Sequence, residues 1–148
     1  MSEVCEICIA DKSGNKMIKV TSVQAVAEKG IINDRYFNEN NDVDIQITLI
    51  ESENIDYYNS VSGSNISYIN FRRNIITKGI KLNELVGKEL LIGAVRIKVH
   101  RLCNPCRYLQ EKLKQKNFIK KLVNKSGLRC EILTSGKISI NDEIKIIN

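Results

Sequence analysis

The sequence predicts a mainly β fold: a closed or nearly closed β-barrel with a few short helices. Three observations carry that expectation. Apolar and polar residues alternate with period two in Val43-Asp44-Ile45-Gln46-Ile47-Thr48-Leu49, in Val95-Arg96-Ile97-Lys98-Val99-His100 and in Leu128-Arg129-Cys130-Glu131-Ile132, the pattern of a strand with one face on a core. Glycine, serine and asparagine clusters punctuate the chain between such runs. Only two segments show helical spacing, and many short strands with few helices favour a closed sheet.

The elements follow in order. Alternation predicts a strand over 4–10, and the Ser13-Gly14-Asn15 turn separates it from a second over 17–23. Gly30-Ile31-Ile32-Asn33-Asp34-Arg35 reads as a loop in which Gly30 and Asn33 take positive φ and position Asp34 and Arg35. The most economical role for those two side chains is an internal ion pair. Asn38 to Asn41 then lead to the strand over 43–49. Ser52 is placed to cap a short helix ending at Tyr58, because a serine oxygen accepts the free N–H groups of a first turn. Strands over 74–77, 89–92 and 95–100 come next, divided by turns at Gly87 and Gly93. From Arg107 to about Lys125, the apolar residues Leu109, Leu113, Phe118, Ile119, Leu122 and Val123 fall roughly on one helical face, and Ser126-Gly127 supplies the stop. Strands over 128–132 and 143–147 end the pattern, with a turn at Ser135-Gly136. The alternating strands are expected to be half-buried and antiparallel.

A chain of 148 residues, 43% hydrophobic and 27% charged, fits one domain over 1–148 with a single core. That composition excludes wholesale disorder and a collagen-like fibre. Apolar runs are far shorter than the roughly 20 residues of a spanning helix, so no membrane association is expected. The opening MSEVCEICIA sets two glutamates among apolar residues without a basic stretch, which predicts no signal peptide. Five cysteines, an odd number, then predict reduced thiols and a cytoplasmic location. The net charge is +6; between Arg107 and Lys125 lie seven basic residues against Glu111 alone, while the remainder of the chain holds 16 of each sign. One stretch therefore carries the whole excess, a local electrostatic feature.

Cys106 is the foremost candidate for chemistry. It follows Asn104-Pro105 and precedes the basic segment, so its sulfur is expected beside a helix N-terminus that favours an anion. A thiolate there serves as a nucleophile, a persulfide carrier or a soft-metal ligand. The plain alternative is a buried cysteine acting as a small hydrophobe. Cys103 is either a resolving thiol for Cys106 or simply the end of the preceding strand. The Cys103/Cys106 pair lacks the βαβ context of a thioredoxin-like site. Joined with Cys5 and Cys8 it meets only half of a zinc signature, because the intervening segment far exceeds the roughly 15–20 residues of a zinc ribbon. Zinc is therefore not expected, and Cys5 and Cys8 are expected to point to opposite faces of one strand. His100, the single histidine, is in phase with Arg96 and Lys98 and is expected on the outer face, so no Ser/His/Asp triad forms.

Phe71-Arg72-Arg73-Asn74-Ile75 sets two guanidinium groups and an amide before a strand. Paired arginines suit bidentate grip on phosphate or carboxylate, and a solvated basic edge is the alternative.

Taken together these motifs resemble the MOSC family, the molybdenum cofactor sulfurase C-terminal domain, in the manner of its small stand-alone bacterial-type members. The resemblance runs from the Gly30 to Arg35 loop, through the strand entering Ile50-Glu51-Ser52-Glu53, to Phe71-Arg72-Arg73-Asn74-Ile75 and Gly79-Ile80-Lys81-Leu82-Asn83-Glu84-Leu85. It continues at Gly87, Ile92-Gly93, Pro105-Cys106, Gly127-Leu128, Gly136-Lys137-Ile138 and Asp142-Glu143-Ile144. Asn33 and Asn141 stand where the family has glycine, and asparagine is the other residue that accepts left-handed geometry.

The resemblance implies a barrel of the MOSC or pyruvate kinase β-barrel-like type with Cys106 as the family cysteine, carrying sulfur or ligating molybdenum. It also implies that Arg72 and Asn74, with Arg73 at a more variable position, lie near the pterin phosphate of a molybdenum cofactor (molybdopterin). Pyridoxal phosphate binding is a further association of the family. The expected partners are a cysteine desulfurase or other sulfur donor, and proteins of molybdenum cofactor biosynthesis or molybdoenzymes as acceptors. The leading reading is thus a protein that binds molybdenum cofactor or carries a Cys106 persulfide for maturation of that cofactor or of metal-sulfur centres, with sulfurtransferase-like or cofactor-dependent activity. An alternative is a molybdenum-dependent reductase of N-hydroxylated compounds. A third reading, from charge alone, is a noncatalytic nucleic-acid-binding module using the basic helix. The scarcity of aromatic residues beside those lysines, Tyr108 and Phe118 only, argues against it.

Overall fold

Strand β1 (Glu3–Ile9) opens the computed structural model, which describes residues 1–104, 110, 111, 113–115 and 117–147. β2 (Ile18–Val20), β3 (Ser22–Val26), β4 (Gly30–Ile31) and β5 (Ile47–Glu51) lead to helix α1 (Ser52–Ser62) and a 3₁₀ turn, Tyr68–Phe71. β6 (Ile75–Lys78), a second 3₁₀ turn (Leu82–Leu85), β7 (Glu89–Ile92) and β8 (Val95–Leu102) follow. The chain ends with α2 (Phe118–Lys121), β9 (Leu128–Ile132), β10 (Gly136–Ser139) and β11 (Ile144–Ile146).

Eight strands make one curled sheet in the order β11-β7-β8-β9-β5-β6-β1-β2, and β10-β3-β4 make a second. The large sheet nearly closes on itself. Ile144 N–H donates to the Ser2 carbonyl and Val4 N–H to the Asp142 carbonyl, each at 2.9 Å, so the start of β1 meets the approach to β11 across the gap. The inward residues of the curled sheet, such as Val4, Ile7, Ile47, Leu49, Leu90, Ile97 and Cys130, form one core. The mainly β, nearly closed architecture is the one that the alternating runs predict. No helix among the described residues is long and apolar enough to cross a membrane.

A second core lies outside the barrel. Cys8, Ile50 and Ile76, on the outer faces of β1, β5 and β6, are covered by Ile55 and Tyr58 of α1, by Phe71, and by Phe118 and Leu122. The Tyr58, Phe71 and Phe118 rings pack with centroids 5.2–6.1 Å apart. Aromatic groups of this size seal a large apolar area and favour edge and offset contacts.

This covering layer explains where the structure departs from the alternation pattern. β5 begins at Ile47 rather than Val43 and is buried along its whole length, Thr48 included, because both of its faces are covered. It pairs in parallel with β6 (Leu49 opposite Ile75) while pairing antiparallel with β9, so the expectation of a purely antiparallel barrel fails at this one junction. The crossover is α1 and the segment after it, which supplies the length that a parallel connection needs. The run over 17–23 divides into β2 and β3, which join different sheets, and β10 forms where only a turn was expected.

Helix α1 runs to Ser62, a turn beyond Tyr58, and closes at Gly63 with φ +68. Its N-cap is Glu51, not Ser52, which is the first helical residue. The Glu51 carboxylate accepts from Leu82 N–H and from Asn54 Nδ2, both at 3.2 Å, yet burial, with Glu53 nearby, raises its pKa. A raised carboxylate pKa means the folded state holds the proton more tightly. Stability therefore falls as pH climbs from the ordinary glutamate range to the raised value. Glu51→Gln keeps an acceptor without the charge, so it is expected to match wild type near pH 3 and to melt higher near pH 7, by about 2–4 °C for each kcal/mol relieved. Thermal melts at both pH values check this, and equal melting temperatures at neutral pH would refute it.

The continuous basic helix expected from Arg107 to Lys125 is not present. Lys114, Asn117 and Asn124 have φ of 54°, 59° and 62°, left-handed values that end a right-handed helix at each point. Among the described residues of this stretch, Gln110 and Glu111 are helical and a separate four-residue turn is α2. Gln115 ties the stretch to α1 and the residues just after it, accepting from Tyr58 Oη at 2.6 Å and Ser64 Oγ at 2.9 Å. The nucleic-acid reading loses its long basic helix with this correction. Residues 105–109, and with them the expected helix start at Cys106, lie outside the described residues.

One further expectation, on Cys5 and Cys8, is revised, and one, on His100, is met. The pairing of β1 with β6 shifts between Val4 and Glu6, a bulge at Cys5 that inserts one residue into the alternation. Cys5 and Cys8 consequently both pack toward the outer core instead of pointing to opposite faces. His100 lies on the outer side but is half-buried, its Nε2 2.8 Å from Glu131 Oε1.

Candidate functional site

Gly30 (φ +131) and Ile31 form β4 against β3 rather than the start of a loop, and the turn that follows, through Asn33 (φ +71), delivers Asp34 and Arg35 to the end of β1. Asp34 Oδ1 accepts from Ala10 N–H at 3.2 Å and from Arg35 Nη1 at 3.1 Å, and Oδ2 accepts from Tyr36 N–H at 3.3 Å. Arg35 N–H donates to the Ala10 carbonyl at 2.7 Å, so one residue of the β1 end is held from both sides. The two side chains are 0% and 4% exposed, a buried ion pair whose remaining valences are met. A buried pair of this sort is tolerable only when hydrogen bonds satisfy the rest of each ion.

Arg35 also connects the loop to the segment before β6. Its Nη2 donates to the Arg72 carbonyl at 2.7 Å and its Nη1 approaches Met17 Sδ at 3.3 Å. Arg72 closes the Tyr68–Phe71 turn with φ +61, a left-handed value that costs a non-glycine residue free energy and that the Arg35 bond helps to hold. Because of that turn the consecutive arginines diverge. Arg72 Nη1 donates to the Asn15 carbonyl at 2.8 Å, whereas Arg73 Nε donates to the Ser126 carbonyl at 2.9 Å.

Asn74 faces inward. Its Oδ1 accepts from Thr48 N–H at 3.1 Å and Thr48 Oγ1 at 3.2 Å, its own N–H donates to Thr48 Oγ1 at 2.9 Å, and Nδ2 donates to the Cys8 carbonyl at 3.2 Å. The side chain is wholly buried and splices β1 to β5 beside the parallel junction, so in this arrangement it presents no atom to a ligand.

Arg72 lines a cleft of about 440 Å³ with Lys16, Met17, Ile69, Asn70 and Leu113. The described lining holds two cations and no carboxylate. Leu113 comes from the stretch that follows Cys106, and Cys106 lies outside the described residues. Sequence reasoning missed Lys16, Asn70 and the Asn15 carbonyl. The only signal was the Ser13-Gly14-Asn15 turn, which says that the chain reverses but not what it will face.

Three of the other thiols, Cys5, Cys8 and Cys130, have raised pKa values. Burial raises the Cys8 pKa to about 12, with the Glu6 carboxylate adding to the effect. The fully buried Cys130 is pushed up by the same cause, with Cys103 as its neighbour, and Cys5 rises more modestly. Cys103 is buried just beyond β8, its N–H donating to the Gly127 carbonyl at 2.7 Å. Thiols so raised are almost wholly protonated at neutral pH and make poor nucleophiles.

A family model described as the MOSC domain matches residues 34–145. The fold is similar to that of the YuaD protein from Bacillus subtilis, with a TM-score of 0.85 at 16% identity over 99% of this chain and 96% of that one. YiiM from Geobacillus stearothermophilus gives 0.81 at 17% identity, covering 100% of this chain and 76% of that one. YiiM from Escherichia coli gives 0.70 at 17% identity, covering 97% and 70%. At such identities the likeness concerns the fold. No curated protein matches the chain by sequence.

Proposed function

The chain belongs to the MOSC domain family, and from that premise we propose that it binds molybdenum cofactor or carries sulfur as a Cys106 persulfide for maturation of that cofactor or of metal-sulfur centres. The observation that supports this reading is the cleft lined by Arg72 and Lys16 beside Met17, Ile69 and Leu113, with no carboxylate among its described lining residues. A lining of that composition suits an anion that carries an apolar body.

The described residues fit a phosphorylated pterin. Arg72 and Lys16 would hold its phosphate, and Met17, Ile69 and Leu113 would cover an apolar ring edge; Cys106, which lies outside the described residues, is the soft sulfur donor of the proposal. When bound, the cofactor supplies a redox-active molybdenum centre. For sulfur transfer the chain needs only its own thiolate. Cys106 Sγ attacks the outer sulfur of a donor persulfide, a new S–S bond forms on Cys106, and the donor cysteine leaves as its thiolate with no net oxidation. A cysteine desulfurase is the donor of matching chemistry, and a cofactor-biosynthesis protein or molybdoenzyme the acceptor.

Intact mass after incubation with a cysteine desulfurase and free cysteine tests the transfer. Wild type is expected to gain one sulfur and Cys106→Ala none, the raised thiols Cys5, Cys8 and Cys130 staying unmodified in both. An equal gain in the alanine variant overturns the assignment to Cys106. Elemental analysis for molybdenum, tungsten and zinc with pterin detection on the same preparation tests retention of the cofactor.

A further inference from the structure

A second cleft, of about 520 Å³, opens between α1, the segment leading into the Tyr68–Phe71 turn, and the outer faces of β1 and β2. Among the described lining residues it shares Ile69 alone with the Arg72 cleft. Its walls are tied down. Asn59 of α1 brackets Ile66, donating from Nδ2 to the carbonyl and accepting at Oδ1 from the N–H, both at 3.0 Å. Tyr68 Oη donates to Asp56 Oδ1 at 2.8 Å, a second tie to the same helix. Ile66 and Ile69 pack against the outer core and give the lining its apolar part.

The lining carries both signs of charge: Glu6 on β1 and Asp56 on α1 are its carboxylates and Lys19 on β2 its cation. Lys19 Nζ stands 3.8 Å from Glu6 Oε2, beyond the roughly 3.2 Å of a hydrogen bond. With side chains 63% and 26% exposed, this is a loose surface pair that contributes little and can exchange partners. Asp56 forms no ion pair among the described residues, and its Oδ2 has no hydrogen-bond partner there. Burial raises the pKa of the Tyr68 phenol and of the Cys5 thiol, and the Asp56 and Glu6 carboxylates add to both rises. The field on this side is therefore negative, although the chain carries +6.

We infer that this cleft binds a free α-amino acid with an apolar side chain, its ammonium between Asp56 and Glu6, its carboxylate on Lys19 Nζ and its side chain on Ile66 and Ile69. Such a zwitterion replaces one loose pair by two opposed ones, and Asp56 Oδ2 takes a further ammonium N–H. An amine without the carboxylate meets Lys19 as a like charge, and a carboxylate without the amine meets two like charges. The volume lies within the roughly 300–1,000 Å³ that small-molecule sites span. None of the charged residues of the cofactor reading takes part, so the two stand or fall separately.

The test uses the full chain and three probes with one side chain: L-leucine with both charges, L-leucinamide with the cation alone and isocaproate with the anion alone. Each is titrated by two-dimensional NMR at fixed ionic strength and slightly acidic pH, where the leucinamide amine is protonated. Leucine is expected to bind at least about fivefold more tightly than either of the others, with shifts at Asn59, Ile66 and Tyr68. Lys19→Gln is expected to weaken leucine by about five- to tenfold and to leave leucinamide no weaker than in wild type. Asp56→Asn, which keeps an acceptor for Tyr68 Oη, is expected to weaken leucine and leucinamide alike by a similar factor. Lys12→Gln, outside the cleft, is expected to bind as wild type does. Lys12, Lys19 and Asp56 are exposed, so none of these changes is expected to alter folding, which a thermal melt confirms.

The absence of a saturable shift with leucine up to roughly 20 mM, weaker than a built site would show, overturns the inference. Leucine affinity unchanged in Lys19→Gln or in Asp56→Asn overturns it as well. Leucinamide binding as tightly as leucine would assign the cleft to a peptide amino terminus or a plain amine and overturn the amino-acid class.

Discussion

Asp34→Ala is expected to destabilise the protein by about 3–5 kcal/mol, the usual cost of leaving one member of a buried ion pair without its partner. The Arg35 side chain is 4% exposed and has no route to water without movement of the loop. Ala10 N–H and Tyr36 N–H lose their acceptor in the same change. The damage is expected to reach the cleft, because Arg35 anchors both the Arg72 carbonyl and Met17. Urea denaturation of wild type, Asp34→Ala and Asp34→Asn measures it. Asparagine keeps one acceptor oxygen and removes the charge, so an intermediate midpoint is expected. A loss below about 1 kcal/mol in the alanine variant, the range of surface pairs, would show that the pair contributes as an exposed one does.

Gly127→Ala is expected to be at least as severe, about 4 kcal/mol or more, or to yield no folded protein. Gly127 has φ +96, and a Cβ built on it stands 1.9 Å from the Leu49 carbonyl oxygen, backbone that cannot swing aside. Its own carbonyl accepts from Cys103 N–H, so displacing it disturbs the exit of β8 as well as the entry to β9. Gly63→Ala is the matching control: φ is +68, but nothing lies within 4 Å of the added carbon. That substitution bears only the left-handed strain of about 1–2 kcal/mol. Comparable melting temperatures for the two variants would mean that the β5 backbone yields and that the close approach at Gly127 is not a constraint.

How much was legible in the sequence varies with the physics of each element. β7 and β9 match their expected bounds because both are sequence-local patterns with one face on the barrel core. The Gly30 to Arg35 segment was readable in part: glycine and asparagine advertise positive φ and an adjacent Asp-Arg pair advertises its own neutralisation, but the pairing of Gly30-Ile31 with β3 is a contact between strands that the loop residues do not announce. β5 misled in register and in environment. Its alternating Thr48 implies a wet face, but α1 and the aromatic cluster cover that face, and Asn74 supplies the hydrogen bonds that water would otherwise give. The basic segment misled because apolar spacing reports which residues can share a face, not whether Lys114 and Asn117 keep right-handed dihedrals.

Local chemistry along the chain thus sufficed for the mainly β class and for the family. Partnership did not follow from it. The parallel junction of β5 with β6, the same-side placement of Cys5 and Cys8, and the meeting of Lys16 with Arg72 all depend on contacts between residues far apart in sequence. Such contacts are selected by burial and hydrogen-bond satisfaction over the whole molecule. Two lysines with the same local surroundings, Lys12 and Lys16, look alike in the chain, and only the packing of the turn against Arg72 and Arg35 sets one of them on the cleft.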